Sequence, residues 1–379
     1  YGKMRDFVGV PVIPLMTVYD FFVKRAHDQY FYNLYWKSAF ILVGTPAGVT
    51  LSPEGAQHGW KSDFQIPNQI TWEPFFCMEL DWILCESIHR HMVADDEGRQ
   101  GVFIRGVTRG IEQKMFAQYL KRQVRFKADQ SQPLHASGFA IAGAVDESQV
   151  ASVDEEQMFE QVRQGVLAGG YHLIDYRGYA GYEPGDNVVN IFAMGSLGTE
   201  ALKASDELLK RGIYANVIMV TSPDLLCGLQ AHADGYQLLK ERLGIDGSLV
   251  LQPLDVALAN GQATSAEVMT LSGRRIPIVS VHDGEAGLLD NIGSILGVKH
   301  ESLAVRKHSR CGTPKDVYAY HHIDAASVVE ACGKVLSETA LEEVRVSPRI
   351  IAQVAGSQSV GEFQNWRDLW PPQDPSEHH

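Results

Sequence analysis

The sequence lacks three features that would have indicated particular classes of protein. Its 379 residues contain no apolar run near the roughly 20 residues of a membrane-spanning helix, and the first residues contain no apolar signal-peptide core. Basic residues are outnumbered, with 33 Lys and Arg against 46 Asp and Glu and a formal net charge of −13, whereas nucleic-acid binding needs a dense basic surface. We therefore expect a cytoplasmic protein that binds neither nucleic acid nor membrane.

Cysteine is also scarce. The five cysteines form no C-x-x-C pair, which indicates neither a disulfide framework nor a zinc site. Cys77 and Cys85 lie in an apolar helical pattern and are predicted to be core thiols. Hydrophobic residues make up 45% of the chain and charged residues 21%, which is typical of a globular protein long enough for two or three domains.

Strand and helix patterns alternate along the chain, which predicts an α/β fold with doubly wound domains. The predicted strands are 8–17 (buried), 39–43, 101–107, 188–194, 215–220, 276–281 and 302–305. The predicted helices are 19–36, 74–91, 154–167, 199–211, 225–243 and 325–337, of which the third has a capping pattern at Ser152 and Asp154.

Residues 111–153 interrupt this alternation with the most basic part of an acidic chain. The segment is either a solvated helix followed by a linker or a docking surface for a partner. Its basic residues include Lys114, Lys121, Arg122, Arg125 and Lys127.

The most informative stretch is 44–58, which reads GTPAGVTLSPEGAQH and follows the apolar run 39–43. Its glycines and prolines are predicted to end the strand and to present Glu54, Gln57 and His58 at the strand's carboxyl end. Ligands of open α/β sheets bind at that edge. The pattern alone fits both an active-site loop and an ordinary loop histidine.

The order of residues in 44–58, followed by Ile66-Pro67-Asn68, resembles the pyrimidine-binding domain of thiamine-diphosphate enzymes of the transketolase superfamily. Within that superfamily the stretch is most similar to the homodimeric, decarboxylating first component of the pyruvate dehydrogenase complex. Further similar patches occur in the same order along the chain, at 12–25, 102–109, 187–199, 275–279 and 321–325.

The resemblance implies two doubly wound domains. Residues 1–169 would be the later part of a pyrimidine-binding domain, N-terminally incomplete and carrying a basic insertion at about 111–153. Residues 170–345 would be a transketolase C-terminal-type domain, and residues 346–379 an extended tail. Nothing resembles the family's diphosphate-binding domain, which holds the Mg²⁺ ion. We therefore expect a fragment that is inactive alone, with its site at a homodimer interface.

The same resemblance suggests roles for particular residues. Tyr19 and Phe22, with Phe21 as the alternative register, would form the aromatic wall against the cofactor's aminopyrimidine ring. His58 would transfer a proton or hydrogen-bond the substrate oxygen, and Glu54 would orient the catalytic loop. The predicted substrate-binding residues are Gln57 and Arg109, with Arg105 as the alternative to Arg109.

The implied function is thiamine-diphosphate- and Mg²⁺-dependent oxidative decarboxylation of a 2-oxo acid, pyruvate. It would feed acyl transfer to the dihydrolipoyl acyltransferase core of a 2-oxo acid dehydrogenase complex. Two alternatives stay open. One is a transketolase-type ketol transfer or another 2-oxo acid dehydrogenase, and the other is a non-catalytic scaffold relative.

Overall fold

Two β-sheets organise the part of the chain that the computed structural model describes. The described residues are 1–49, 68–93, 101–107, 109–123, 126, 153–179, 181–243, 245, 275–310 and 312–340. They lie within one compact unit formed by 1–248 and 274–341. The predicted tail, 346–379, and most of the predicted basic insertion are outside the described residues.

The described strands are β1 (Leu15–Val18), β2 (Ile41–Ala47), β3 (Gln69–Trp72), β4 (Gly101–Val107), β5 (Gly170–Ile174), β6 (Val188–Met194), β7 (Tyr214–Val220), β8 (Ile278–Glu285) and β9 (His300–Val305). The first sheet is parallel, with the order β1-β2-β4-β3. The second has the order β5-β7-β6-β8-β9 and is parallel except for β5, which runs antiparallel to β7 at one edge. The α/β class is therefore confirmed.

The described α-helices are α1 (Met4–Val8), α2 (His27–Tyr35), α3 (Cys77–Val93), α4 (Met115–Lys121), α5 (Glu155–Ala168), α6 (Gly198–Leu209), α7 (Pro223–Leu226), α8 (Leu229–Ala233), α9 (Ile292–Leu296), α10 (Pro314–His321) and α11 (Ala325–Ala340). Shorter 3₁₀ helices span Asp20–Ala26 and Gly195–Leu197, and a π-helix spans Leu238–Arg242. The predicted cap of α5 is confirmed at Asp154, whose side chain accepts a hydrogen bond from the backbone N–H of Gln157.

One apolar core is continuous between the two sheets. It contains Ile41, Trp72 and Ile104 of the first sheet together with Ile191 and Val279 of the second. Strands buried on both faces produce mainly apolar runs, and the predicted bounds of β4 and β6 match the observed ones. Among the described residues, no helix combines the length and the apolar character that crossing a bilayer requires.

Several predicted elements are wrong in detail. The predicted buried strand 8–17 is only β1, whose residues are mostly exposed because it is an edge strand of the described sheet. The strand predicted to end before Gly44 continues as β2 to Ala47. A register shift against β4 between Gly44 and Ala47 accommodates Pro46, because proline is tolerated at such irregularities.

Two helical predictions also need correction. The predicted helix 225–243 is divided into α7, α8 and the π-helix. Cys77 and Cys85 lie on α3 as predicted but are exposed, because α3 buries a different face, which includes Ile83. The predicted boundary between residues 169 and 170 stays a prediction.

Candidate functional site

Ionisable side chains meet at the carboxyl ends of strands from both sheets. Asp20 begins the 3₁₀ helix after β1, Glu73 follows β3, Arg105 lies near the end of β4, and Asp283 lies near the end of β8. All four are buried. We call these residues the junction cluster, and their position is where parallel α/β sheets bind ligands.

Arg105 is the centre of the junction cluster. Its side chain is fully buried, and its guanidinium donates to Asp20 through Nε at 3.3 Å and through Nη2 at 3.0 Å. Nη1 donates to Glu73 at 2.6 Å. The two carboxylates raise the pKa of Arg105 further, against the effect of burial. A permanently charged, forked donor therefore joins segments that follow β1 and β3.

Glu73 connects this ion pair to the second sheet. Its backbone N–H donates to the carbonyl of Thr221 at 2.8 Å, just beyond the end of β7. Its side chain lies against Gly195, where a Cβ atom would stand 1.7 Å from Glu73 Oε1. Burial raises the pKa of Glu73 to about 7, with Arg105 opposing the shift. Glu73 therefore titrates near neutral pH.

Asp283 supplies the third carboxylate of the junction cluster. Its Oδ2 accepts hydrogen bonds from the backbone N–H of Val49 at 3.2 Å and from Ser196 Oγ at 3.1 Å. Its Oδ1 is buried and has no hydrogen-bond partner among the described residues. Burial raises the pKa of Asp283. Gly48, with φ of +94°, packs directly on this carboxylate, since a Cβ there would lie 2.3 Å from Oδ2.

A second polar group extends from Asp283 toward the surface. Ser196 Oγ lies 2.6 Å from the hydroxyl of Tyr318 on α10, and the guanidinium of Arg109 stacks over the Tyr318 ring at 5.2 Å. Arg109 also donates to Glu200 on α6 at 3.2 Å. The Arg109 side chain is 19% exposed. Some of its five N–H donors therefore remain available to a ligand.

Replacing Glu73 with Gln is expected to change how stability depends on pH. Because the pKa of Glu73 is raised from 4.5 to about 7, its proton stabilises the fold at low pH, and this contribution is lost as the pH rises through 7. Glu73→Gln mimics the protonated acid. Relative to this variant, the free energy of unfolding of the wild type should fall by on the order of 2 kcal/mol between pH 5 and pH 8. Urea unfolding of both proteins across this range measures the difference.

Glu207→Gln is the control for this comparison. Glu207 is an exposed carboxylate whose pKa is lowered by hydrogen bonds from Arg211 and Lys210. Its charge does not change between pH 5 and pH 8, so this variant should follow the wild type over that range. A constant difference between wild type and Glu73→Gln would show that Glu73 keeps one protonation state.

The predicted aromatic wall lies at the carboxyl end of β1. The rings of Tyr19 and Phe22 have centroids 5.3 Å apart, and Phe22 is 36% exposed. The guanidinium of Arg25 stacks on Phe22 at 4.2 Å. Asp20, between the two aromatic residues, is held by Arg105, so the junction cluster fixes the start of the segment that carries them.

The structure brings together only part of the predicted site. Arg109 follows β4, which is separated from β1 by β2, so the ends of β1 and β4 are roughly 10 Å apart. Arg105, the alternative to Arg109, is fully buried and pairs with Asp20 and Glu73. Glu54, Gln57 and His58 lie outside the described residues.

Sequence reasoning missed Asp20, Glu73 and Asp283. A signal was present in each case, because charged residues adjoin apolar strand patterns in 15–20, 69–73 and 278–283, and a buried charge requires a partner. The pairing itself could not be read from the sequence, since Arg105 is 85 residues from Asp20. Within the described ranges, no group of three or more His, Cys, Asp or Glu side chains could hold a metal ion.

Comparison with known proteins identifies the fold. No protein-family model matches the sequence, and no curated protein matches it. Among solved structures, the transketolase of Leishmania mexicana matches with a TM-score of 0.52 at 13% identity, over 86% of this chain. The transketolase of Pichia stipitis in complex with sedoheptulose 7-phosphate matches with a TM-score of 0.51 at 14% identity, over 88% of this chain.

This chain spans 35% of the length of each of those transketolases. At such low identity the similarity shows a shared fold, and it confirms the predicted transketolase-type architecture. These structures do not test whether the chain is closer to the pyruvate dehydrogenase component than to transketolase. That closer resemblance stays a prediction.

Proposed function

We propose that this chain forms the pyrimidine-binding and C-terminal parts of a thiamine-diphosphate enzyme that cleaves the bond next to a ketone carbonyl. The observation that carries the proposal is the Tyr19–Phe22 pair at the carboxyl end of β1, in which Tyr19 is partly exposed and Phe22 is exposed, in a transketolase-type fold. Aromatic faces at this edge suit a flat heterocycle.

Thiamine diphosphate, when bound, would accept the electron pair released as the carbon–carbon bond breaks. Tyr19 and Phe22 would hold its aminopyrimidine ring, and Arg105 would keep their segment in place through Asp20. His58, oriented by Glu54, would hydrogen-bond or protonate the substrate oxygen, for which an imidazole is suited near neutral pH. The diphosphate and its Mg²⁺ would be held by a diphosphate-binding domain outside this chain.

The substrate we favour is a 2-oxo acid, pyruvate, decarboxylated oxidatively to supply an acyl group. The pattern of 44–58 supports this choice. Arg109, with Gln57, would bind the substrate carboxylate through its remaining N–H donors. Ketol transfer between sugar phosphates is the second candidate. It is favoured by the similar solved structures, one of which is a complex with sedoheptulose 7-phosphate.

We also propose that the working form is a homodimer that delivers its product to a dihydrolipoyl acyltransferase core. An apolar surface around β1 supports a subunit contact. Among the described strands none pairs with the outer edge of β1. Leu15 and Met16 of β1 have exposed apolar side chains. A groove of about 400 Å³ adjoins the strand. Apolar patches and free strand edges of this kind are typical of association surfaces.

The test is calorimetric titration of thiamine diphosphate with Mg²⁺ into this chain and into the protein as its gene encodes it. We expect binding to the encoded protein, weakened at least tenfold by the double variant Tyr19→Ala with Phe22→Ala. The reason is that this variant removes the ring contacts. The His58→Ala variant should bind the cofactor and lose turnover of pyruvate.

Tyr236→Ala is the matched control, because Tyr236 is a partly exposed tyrosine whose ring contacts His232 and Lys240. It should bind like the wild type. Turnover of a ketose phosphate in place of pyruvate would select the ketol-transfer candidate. Absence of cofactor binding in every form would contradict an enzymatic role and favour a scaffold relative.

A further inference from the structure

A basic segment follows β9 in this otherwise acidic protein. Residues 306–310 read RKHSR and contain three Lys or Arg residues and no Asp or Glu. Lys307, His308 and Arg310 are exposed. The segment leads to α10, whose residues Tyr320 and His321 turn back toward it.

Two of these cations share one aromatic ring. Lys307 Nζ lies 3.8 Å from the centroid of the Tyr320 ring, and Arg310 Cζ lies 4.1 Å from the same centroid. The two charges are therefore no farther apart than these distances combined. The ring attracts each cation, but it carries no net charge to offset their mutual repulsion.

Among the described residues, no carboxylate forms an ion pair within 4.0 Å of Lys307 or Arg310. The charges of these two side chains are therefore not neutralised by an acid. Two acids that are near this segment in the sequence have other partners. Asp316 accepts from Thr313 Oγ1 at 2.7 Å, and Glu301 accepts from Lys334 at 2.7 Å. Arg306 is not part of this group, because it interacts with Asp290. The charge of Arg306 helps to lower the pKa of Asp290.

Two adjacent histidines, the buried His321 and the exposed His322, complete the group. His321 is 6% exposed; its Nε2 lies 2.8 Å from Ser309 Oγ, while its Nδ1 is buried without a partner among the described residues. Burial, then Lys307, Arg310 and His322, hold the pKa of His321 below its usual value. Lys307 and Arg310 are thus close enough to lower the pKa of His321, and no acidic side chain raises it.

We propose that Lys307, Arg310, His321 and His322 form a binding site for a phosphate-type dianion. The charges converge on one ring within a short stretch of chain, which suits a compact group with several acceptor oxygens. An extended acidic peptide would instead require cations spaced along a groove. The guanidinium and the ammonium can each donate to separate oxygens of one phosphate.

This site is distinct from the junction cluster. On α10, Tyr318 contacts Ser196 and Arg109, whereas Tyr320 carries Lys307 and Arg310. The proposal therefore does not rest on the proposed function.

The experiment is titration of the full chain with inorganic phosphate and with pyrophosphate, followed by calorimetry and by the NMR-detected pKa of His321. A bound dianion offsets the cations, so the pKa of His321 should rise by about one unit. The double variant Lys307→Ala with Arg310→Ala should weaken binding at least tenfold. In the absence of any anion, this double variant should also have a higher pKa at His321 than the wild type, because two positive charges have been removed.

Lys240→Ala is the matched control, because Lys240 lies over a different tyrosine, Tyr236, at 5.6 Å. It should bind phosphate and pyrophosphate like the wild type. Equal affinity in the double variant and the wild type, or an unchanged pKa of His321 at saturation, would overturn the proposal. So would tighter binding of a hexaglutamate peptide than of pyrophosphate, which would identify an acidic protein segment as the ligand.

Discussion

Replacing Arg105 with Met is expected to lower the free energy of unfolding by about 3–5 kcal/mol, the largest effect of any single substitution that we predict. Arg105 is fully buried and pairs with two buried carboxylates, Asp20 and Glu73. Met fills similar space but leaves both carboxylates without their cation. Both must then either stay charged in an apolar interior or take up a proton. Urea unfolding at pH 8, where carboxylates are normally ionised, measures the loss.

Two further variants separate charge from packing. Arg211→Met removes a surface arginine that follows α6 and pairs with Glu207 near the end of that helix, and it should change stability by less than about 1 kcal/mol. Adding Asp20→Asn and Glu73→Gln to Arg105→Met should recover part of the loss, since it removes the charges that lack a partner. A loss below 1 kcal/mol for Arg105→Met alone would mean that the junction cluster admits water.

Replacing Gly195 with Ala is expected to lower the free energy of unfolding by about 3 kcal/mol. Gly195 has φ of +56°, and a Cβ there would stand 1.7 Å from Glu73 Oε1. The substitution combines an unfavourable left-handed backbone with displacement of the carboxylate that Arg105 binds. We expect thermal and urea unfolding to report the same ranking of variants.

Gly297→Ala provides the control for backbone conformation. Gly297 ends α9 with φ of +68°, and a Cβ there would meet no described atom within 4 Å. Gly297→Ala should lower the free energy of unfolding by about 1 kcal/mol, which measures the cost of the left-handed conformation alone. Equal losses for the two variants would show that Glu73 moves aside freely and that its contact with Gly195 contributes nothing.

Sequence patterns predicted the elements in the interior most accurately. β4 and β6 occur at their predicted bounds because both are mainly apolar and end at clear turn signals. The predictions failed where tertiary context decides the outcome. β1 is exposed because it lies at a sheet edge, and the predicted helix 225–243 is broken near Gly228 and Gly235.

For the candidate site, the sequence predicted that Glu54, Gln57 and His58 follow a strand, and these residues lie outside the described ranges. Tyr19 and Phe22 follow β1 and Arg109 follows β4, and their ligand-binding roles stay predictions. The sequence did not predict the partners of Arg105. Asp20, Glu73 and Asp283 come from segments far apart in the chain, and local propensity contains no information about which buried charges meet.

The sequence by itself determined the α/β class, the order of most elements and the edge of the sheet at which a site can form, because periodicity and turn chemistry act between near neighbours. Only the tertiary structure decided that one arginine at the junction of two sheets joins Asp20 to Glu73, and that α10 presents Tyr318 to one group and Tyr320 to another. The reason is physical. Burial makes the pairing of charges obligatory, and burial is a property of the folded chain.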